Sequence, residues 1–431
     1  MKARFWSALA SAATTLAAFA ATSIAPGTAA AQQPVRVGIV TFLSGPAAGP
    51  FGVPARNAAE LVTEMLNAGR VPAPYSTKGF GGNPIEITII DENGGPQKQV
   101  AEFRNLAQRV DLVIGYISSG DCLAIAPVAE ELKKLTVLFD CGTPRIFEDA
   151  SYKYVFRTGP TGTMDNVAAA LYVTEKFPNL KSIAGINQNY AWGQDAWADF
   201  EGAMKVLKPG IEVKTSLMTK LFAGQYGSEI STLLSSGADL IHSSYWGGDL
   251  EGLILQGAPR GLFQKHVVTL VAGEPAINRL GARIPDGTII GGRGPFGPFA
   301  PDTELARWLN REFQDRYNVP PNYASFKMTQ AILGVKAAYE KAQQAGAQTP
   351  NQEQIIAVFE NLTFEGPGGT VRMALGKGHQ AVMDNAIGTT KVVDGQLRVV
   401  DIKRYPAERL NPPDGMKSEA WIKAGMKAGM K

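Results

Sequence analysis

The sequence has very little of the two residue types that most often hold metals or carry out nucleophilic chemistry. Its 431 residues include only two cysteines and three histidines. Two cysteines exclude a disulfide-stapled miniprotein and any cysteine-rich metal module. His242, His266 and His379 have no partner at the spacing of zinc ligands. We therefore expect neither a metal nor a cofactor.

The chain also lacks an excess of charge of either sign. Lys and Arg number 42 against 39 Asp and Glu, which gives a formal net charge of +3. That balance is too even for the basic surface of a nucleic-acid-binding protein, so we expect no nucleic-acid partner. The hydrophobic fraction of 45% is enough to build packed cores, and the length exceeds that of one ordinary core. The composition predicts a globular chain with two domains.

The common motifs of enzymes are missing as well. The chain has no Gly-x4-Gly-Lys-Ser/Thr loop for phosphate and no Gly-x-Ser-x-Gly turn for a nucleophilic serine. The segment Gly292-Arg-Gly-Pro-Phe-Gly297 formally matches a dinucleotide fingerprint, but Pro295 and Pro298 remove backbone donors that such a site needs. We therefore predict that the chain is not an enzyme, with a hydrolase kept as the enzymatic alternative.

One long uncharged stretch is present, and it lies at the amino terminus. The basic segment Met1–Arg4 precedes an Ala-rich run from residue 5 to 21, and Ala29-Ala-Ala31 provides small residues for cleavage. This is the pattern of an export signal that is removed near Ala31, which predicts a periplasmic location. A single membrane anchor is the alternative. Losing Lys2 and Arg4 with the signal changes the formal charge from +3 to +1.

Short apolar strands alternate with helices along the rest of the chain, which predicts an α/β fold with parallel sheets covered on both faces. The pattern restarts near residue 158, and helices without strands follow residue 300. We therefore predict two α/β lobes: 32–157 with 288–366, and 158–287 with 367–407. Crossovers between two lobes form a hinge, and the cleft between them is the natural ligand site. The tail, 408–431, is either a short amphipathic helix on the second lobe or disordered.

An ordered set of short segments gives the pattern a specific resemblance. The segments, in chain order, are Val37-Gly-Ile-Val40, Ser44-Gly-Pro46, Phe51-Gly52, Asp91-Glu-Asn93, Val113-Ile-Gly-Tyr-Ile-Ser-Ser119, Phe156-Arg-Thr158, Trp192-Gly193, Gly237-Ala-Asp239 and Ala272-Gly-Glu274. Together they resemble the periplasmic solute receptors of ABC importers, in the leucine/isoleucine/valine-binding branch. The resemblance implies the type I periplasmic binding protein fold, in which two Rossmann-like lobes are joined by three hinge crossovers. It also implies a membrane permease as partner.

The resemblance also implies positions that bind a ligand. Ser119 matches a serine that holds the ligand carboxylate beside a helix amino terminus. Cys141 and Thr143 match a backbone-and-hydroxyl pair that contacts the same carboxylate and the ammonium. Glu274 matches the acid that pairs with the ammonium of an amino acid. The alternatives are a plain helix cap for Ser119, a turn-stabilising role for Thr143 and a solvated loop position for Glu274.

Aromatic residues depart from the family pattern. Phe51, Trp192 and Trp246 stand where the amino-acid receptors usually carry tyrosine, and Tyr116 and Tyr190 flank the same cleft segments. We expect a wider and more aromatic pocket than in those receptors. Asp140 stands where the family often has proline, and it either contacts a polar group of the ligand or faces solvent.

The two cysteines lie on consecutive loops of the first lobe. Cys122 and Cys141 could therefore lie within disulfide reach, and an exported protein can form such a bond. The family's usual pair lies elsewhere in the sequence. The pairing of Cys122 with Cys141 is an expectation that the sequence leaves open.

Together these features predict a monomeric receptor that closes on an amino acid or amino-acid-like carboxylate and delivers it to a permease. A receptor for aromatic carboxylates, such as benzoate or cinnamate derivatives, is the first alternative. A ligand-sensing protein that signals to a membrane partner is the second.

Overall fold

The computed structural model describes residues 33–427, which form two α/β lobes. The predicted export signal, residues 1–31, lies outside the described residues. Within 33–427 no helix combines the length and the apolar character needed to cross a bilayer.

Fifteen strands occur in the described residues. They are β1 (Val35–Thr41), β2 (Ile85–Asp91), β3 (Leu112–Gly115), β4 (Thr136–Leu138), β5 (Val155–Arg157), β6 (Ser182–Gln188), β7 (Glu212–Thr219), β8 (Leu240–Ser243), β9 (Val267–Leu270), β10 (Ile289–Gly291), β11 (Thr363–Gly366), β12 (Gly369–Leu375), β13 (Gln380–Val382), β14 (Asn385–Val393) and β15 (Gln396–Tyr405).

The α-helices of the described residues number fourteen. They are α1 (Val53–Ala68), α2 (Pro96–Ala107), α3 (Ser119–Glu131), α4 (Arg145–Glu148), α5 (Gly162–Lys176), α6 (Ala191–Leu207), α7 (Gly227–Ser235), α8 (Gly247–Gly257), α9 (Leu262–Lys265), α10 (Glu274–Leu280), α11 (Glu304–Tyr317), α12 (Tyr323–Gln344), α13 (Gln352–Phe359) and α14 (Ser418–Lys423). A π-helical turn, Ala48–Gly52, precedes α1.

The first lobe contains an eight-stranded sheet in the order β11-β12-β13-β5-β4-β3-β1-β2. Its strands from β13 to β2 pair in parallel, whereas β11, β12 and β13 pair antiparallel. The central strands β3 and β4 are wholly buried, as the continuous apolar runs predict for a parallel sheet covered on both faces. The predicted α/β fold is therefore confirmed.

The second lobe contains a seven-stranded sheet in the order β15-β14-β10-β9-β8-β6-β7. The strands from β10 to β7 pair in parallel, and β14 and β15 complete the sheet as an antiparallel hairpin. In both lobes the parallel strands end toward the same region of the molecule, where loops from several strands converge. Such a convergence is where open α/β sheets bind ligands.

Three crossovers join the sheets, and two of them lie later in the chain than the sequence analysis expected. The chain leaves the first sheet after Arg157, near the expected residue 158. It returns after Gly291 rather than near 288, since β10 pairs with β9 and β14. It leaves again after Val382 rather than near 367. The glycine-rich segment at 366–369 is a hairpin turn inside the first sheet, with Gly366 paired to Gly369.

The tail forms a short helix as far as it is described. In α14 the side chains of Trp421 and Ile422 are buried and pack on the second lobe, where Ile422 approaches Gly202 of α6. Of the two alternatives for this segment, the helix on the second lobe is the one that the structure contains. Residues 428–431 lie outside the described part of the chain.

Candidate ligand-binding cleft

A small cavity lies between the lobes, beyond the carboxyl ends of their parallel strands. Its volume is about 10 Å³, and its walls are Ile117, Ser119, Gly142, Tyr190, Trp192, Trp246, Ala272, Arg293 and Tyr323. This is room for about one water molecule. Four predicted site residues, Ser119, Tyr190, Trp192 and Trp246, are brought together here. Four of its nine walls are aromatic, and in this conformation its own side chains fill it. A pocket wider and more aromatic than that of the amino-acid receptors stays a prediction.

Ser119 joins two loops of the first lobe at the cavity wall. Its Oγ accepts hydrogen bonds from the backbone N–H groups of Gly142 and Thr143, both at 3.2 Å. The helix cap of α3 is instead Ser118, whose side chain accepts from the Asp121 N–H. Because a hydroxyl that accepts twice still has one proton to give, Ser119 is free to donate to a ligand oxygen.

The two backbone N–H groups that directly precede α3 are bonded within the protein. The carboxyl group of Glu92 accepts from the backbone N–H groups of Ile117 and Ser118, each at 2.8 Å. Burial raises the pKa of Glu92 well above its usual range, and the nearby carboxyl of Asp121 adds to the rise. The N–H groups of Ile117 and Ser118 are therefore not free to bind a ligand carboxylate.

Arg293 is the cleft residue that the sequence analysis missed. It follows β10, and its guanidinium bonds two buried acids, with Nη1 at 2.8 Å from Asp140 Oδ1 and Nε at 3.1 Å from Asp165 Oδ2. Lys327 Nζ lies 2.7 Å from the same oxygen of Asp140. All four side chains are buried, with two positive and two negative formal charges. Asp140 therefore neither faces solvent nor lines the cavity.

The remaining nitrogen of Arg293 is an unpaired donor. Its Nη2 is buried and has no hydrogen-bond partner among the described residues. The guanidinium carbon lies 4.4 Å from the ring centroid of Trp192, a cation–π contact that fixes the plane of the group. The neighbouring acids raise the pKa of Arg293, so the side chain stays charged. Burial and the charge of Arg293 lower the pKa of Lys327 to about 8.

Gly142 makes room for this arrangement. A methyl group on its Cα would lie 2.4 Å from the Trp192 ring and 2.6 Å from Arg293 Nη2. Gly162 has the same relationship to Trp192 at 2.8 Å. The indole of the second lobe thus sits in a slot between two glycines, and its Nε1 donates to the Ser244 carbonyl at 2.8 Å.

Glu274 lies behind the cavity wall. It is the first residue of α10 and is 1% exposed, and its Oε2 accepts from the Tyr323 N–H at 2.9 Å. Burial raises the pKa of Glu274 to about 8. Among the described residues no lysine, arginine or histidine pairs with it, so its neutral form is favoured. Glu274 does not line the cavity.

The other aromatic residues form a second layer or lie elsewhere. Phe51 packs edge-on against Trp246 at 5.5 Å between ring centroids and contacts Tyr323 at 5.2 Å, but it does not line the cavity. Trp246 Nε1 donates to the Tyr190 hydroxyl at 2.7 Å. Tyr116 is buried in the core of the first lobe and is not a wall residue.

Cys141 and Thr143 have structural partners of their own. Cys141 is bonded to Cys122 in a buried disulfide with a Cα–Cα distance of 6.5 Å. Thr143 Oγ1 donates to Asp195 Oδ2 of α6 at 2.6 Å, which links the first lobe to the second. Gly248 N donates to the Pro46 carbonyl at 3.0 Å across the opposite lip of the cleft. The lobes are therefore closed on each other.

The comparison with known families agrees with this geometry. A family model described as periplasmic binding protein matches residues 34–396. The chain belongs to the periplasmic binding protein family. Members of this family serve as substrate-binding components of transporters, in the branch that includes the branched-chain amino acid receptors.

Relatives of this periplasmic binding protein cover most of its length. The Leu/Ile/Val-binding protein homolog 4 of Brucella melitensis is 25% identical in an alignment over 374 residues. The alignment covers 83% of this chain and 84% of the relative. A solute-binding protein of an ABC transporter from Rhodopseudomonas palustris BisB5, solved with 3,4-dihydroxybenzoic acid, is 19% identical with a TM-score of 0.73. The structural match covers 87% of this chain and 98% of the Rhodopseudomonas chain.

A second solved structure shares the fold to the same degree. The leucine-, isoleucine-, valine-, threonine- and alanine-binding protein of Brucella ovis, in a closed conformation, is 20% identical, with a TM-score of 0.73. The structural match covers 88% of this chain and 97% of the Brucella ovis chain. At these identities the likeness establishes the two-lobed fold and leaves the ligand open.

Proposed function

We propose that this periplasmic binding protein captures a small aromatic carboxylate between its lobes and delivers it to the permease of an ABC transporter. We also propose that it is a monomer and that its export signal is cleaved near Ala31. In this account it binds its ligand without making or breaking a covalent bond.

The observation that carries the proposal is the free Nη2 of Arg293 at the cavity wall. A buried charged donor without a partner costs free energy, and a ligand carboxylate would remove that cost. Ser119 has a hydroxyl proton left to give to the second carboxylate oxygen. The two donors come from different lobes' strand ends, so one carboxylate would be held only when the lobes close.

The body of the ligand would meet aromatic rings. Trp192, Trp246, Tyr190 and Tyr323 supply four of the nine wall residues, and planar apolar groups pack well on such faces. The present cavity is too small for a benzoate, so the lobes close further here than they would around a bound ring, and they must part to hold one. Rotation about the three crossovers would provide that opening.

An amino acid is the second candidate, and Glu274 is the observation that favours it. This buried carboxyl group lies next to Tyr323 and has no cationic partner among the described residues. An α-ammonium group could pair with it after a modest rearrangement of Tyr323. Because the pKa of Glu274 is raised to about 8, such binding at pH 7 would release about one proton.

Calorimetry separates the two candidates. The protein is titrated at pH 7 with benzoate, 4-hydroxybenzoate, cinnamate and leucine, in two buffers of different ionisation enthalpy. We expect a ring carboxylate to bind in the micromolar range or tighter, with no proton release that involves Glu274. Binding of leucine alone, with release of about one proton, would contradict the aromatic assignment and favour the amino acid.

A further inference from the structure

The carboxyl-terminal segment holds the two lobes together at one side of the cleft. We call residues 411–427 the strap. Lys417 Nζ lies 2.6 Å from Asp149 Oδ1, and the Ser418 N–H donates to Glu148 Oε1 at 3.0 Å, both on the first lobe. Three and four residues after Ser418, the buried side chains Trp421 and Ile422 of α14 pack on α6 of the second lobe. The strap therefore contacts both lobes.

Four side-chain oxygens form a continuous hydrogen-bonded chain through the strap. Ser418 Oγ lies 2.5 Å from Glu148 Oε1 and 2.9 Å from Thr163 Oγ1. Thr163 Oγ1 in turn lies 2.7 Å from Asp199 Oδ2. Thr163, Asp199 and Ser418 are all buried. The chain runs from α4 of the first lobe, through the strap, to α5 and α6 of the second.

These three contacts need three protons, and the hydroxyl groups of Ser418 and Thr163 supply two. The third proton must be on one of the terminal carboxyl groups. Glu148 Oε1 also accepts the Ser418 backbone N–H, so it receives two hydrogen bonds from the strap. Double acceptance stabilises a carboxylate at Glu148, which leaves Asp199 as the protonated end of the chain.

The surroundings of Asp199 agree with this assignment. Three carboxyl groups from three elements face it: Asp195 of its own helix, Glu148 of α4 and Glu419 of the strap. Burial, with these like charges, raises the pKa of Asp199 to about 8. Burial also raises the pKa of Glu148.

The nearby positive charges are engaged with other acids. Arg145 Nε donates to Asp195 at 2.8 Å, and Lys417 pairs with Asp149. The positive charge of Arg157 stabilises the carboxylate form of Glu148. Among the described residues none of these cations pairs with Asp199. Ionisation of Asp199 would therefore leave a buried carboxylate without a counter-charge.

We propose that the strap is a pH-sensitive clasp between the lobes, in which Asp199 holds the proton that completes the hydrogen-bonded chain and loss of that proton releases the strap. When Asp199 loses its proton, only two protons remain for the three oxygen–oxygen contacts. One contact then brings together two hydrogen-bond acceptors with no proton between them. Two negative charges then flank the Ser418–Thr163 pair. The strap docks at neutral pH and leaves the second lobe in alkaline solution, which allows the lobes to part more freely.

Hydrogen exchange of the strap amides tests this proposal on the whole protein. The backbone N–H groups of Trp421 and Ala424 bond within the strap, and their protection is measured from pH 6 to 9 after correction for intrinsic exchange. We expect protection to fall about tenfold between pH 7 and 9, as the protonated fraction of Asp199 falls. In Asp199→Asn the amide can donate to Thr163 at every pH, so protection should stay constant. A constant value in the wild-type protein, or the same fall in the variant, would overturn the proposal.

A second variant keeps the test independent of how well Asp199→Asn folds. Ser418→Ala removes the middle of the chain, so the Thr163 hydroxyl can donate to an ionised Asp199. We expect weaker protection at pH 7 but no further tenfold fall by pH 9. If Ser418→Ala retains the full fall, the proton does not belong to this chain and the proposal is wrong.

Discussion

Arg293 and Trp192 are stacked at the centre of the cleft, with 4.4 Å between the guanidinium carbon and the indole ring centroid. Arg293 follows β10 at the second crossover, and Trp192 begins α6 of the second lobe. Two acids hold the other guanidinium nitrogens, so Nη2 is the part of the group that remains for a ligand. A stacked guanidinium keeps its donors in a fixed plane, which suits the planar carboxylate group.

The slot for Trp192 makes Gly142 sensitive to substitution. We expect Gly142→Ala to lower the free energy of unfolding by about 1–3 kcal/mol, because its methyl group would meet the indole and Arg293. Gly227→Ala is the matched control, since a Cβ there has nothing within 4 Å, and it should change stability by less than about 0.5 kcal/mol. Urea unfolding measures both. Equal loss in the two variants would show that the slot is not tight.

The disulfide gives a prediction about the oxidised protein. Cys122 and Cys141 are 19 residues apart, so their bond should contribute about 3 kcal/mol to stability by restricting the unfolded chain. Thiol titration of the denatured, unreduced protein should find no free thiol. The Cys122→Ala/Cys141→Ala double variant should unfold at correspondingly lower urea. Two free thiols in the purified protein would contradict the bond.

Glu274 makes stability depend on pH in a known direction. Its pKa is raised to about 8 in the folded protein, so the folded state keeps a proton that the unfolded chain loses above its ordinary value of 4.5. The free energy of unfolding should therefore fall as pH rises from about 5 to 8. Asp199 also lowers the free energy of unfolding as pH rises, because its pKa is raised as well. The contribution of Glu274 is therefore measured as the difference in the free energy of unfolding between wild type and Glu274→Gln.

In Glu274→Gln, the fall in the free energy of unfolding that comes from Glu274 should be absent. We expect the stability difference between the two proteins to change by roughly 2–4 kcal/mol between pH 5 and pH 8. Urea unfolding at four pH values in that range measures it. Parallel stability curves would mean that Glu274 is ionised in the folded protein and has a partner.

Thr143 should act through closure of the lobes. Its hydroxyl donates to Asp195 across the cleft at 2.6 Å, a bond worth about 1 kcal/mol. We expect Thr143→Val to weaken binding of benzoate and of neutral benzamide by the same factor, about fivefold. Thr232→Val, whose hydroxyl bonds its own helix, is the control. A loss confined to benzoate would instead place Thr143 against the carboxylate, as the family resemblance implies.

Much of the fold follows from the sequence. The alternation of apolar strands and helices predicts both lobes, and Ser119, Trp192 and Trp246 stand at strand ends that the pattern locates. The sequence predicts a crossover near residue 367, where the structure has the hairpin turn Gly366–Gly369. Glycine and proline mark a hairpin turn and a crossover equally well. Only pairing of β12 and β13 with the first sheet distinguishes the two.

The charged centre of the cleft could not be predicted in this way. Arg293 lies in a Gly/Pro-rich segment that suggests a loop, and its partners Asp140 and Asp165 are more than 120 residues away in the chain. Only tertiary packing brings these groups together. The available signal was an arginine just after a strand end; Ser119 also follows a strand, but the family resemblance identified it.

Benzoate titration of Arg293→Lys measures whether Arg293 Nη2 receives the ligand carboxylate. Lysine keeps the positive charge beside Asp140 and Asp165 but removes the free donor. Arg157→Lys is the comparison for a buried arginine that has an unpaired Nη2 outside the cavity wall. Its Nη1 bonds the carbonyls of Cys141 and Thr143, so any loss in Arg157→Lys measures disturbance of that loop. We expect benzoate to bind Arg293→Lys at least about tenfold more weakly than wild type, and more weakly than it binds Arg157→Lys. Equal benzoate affinity in wild type and Arg293→Lys would contradict the account.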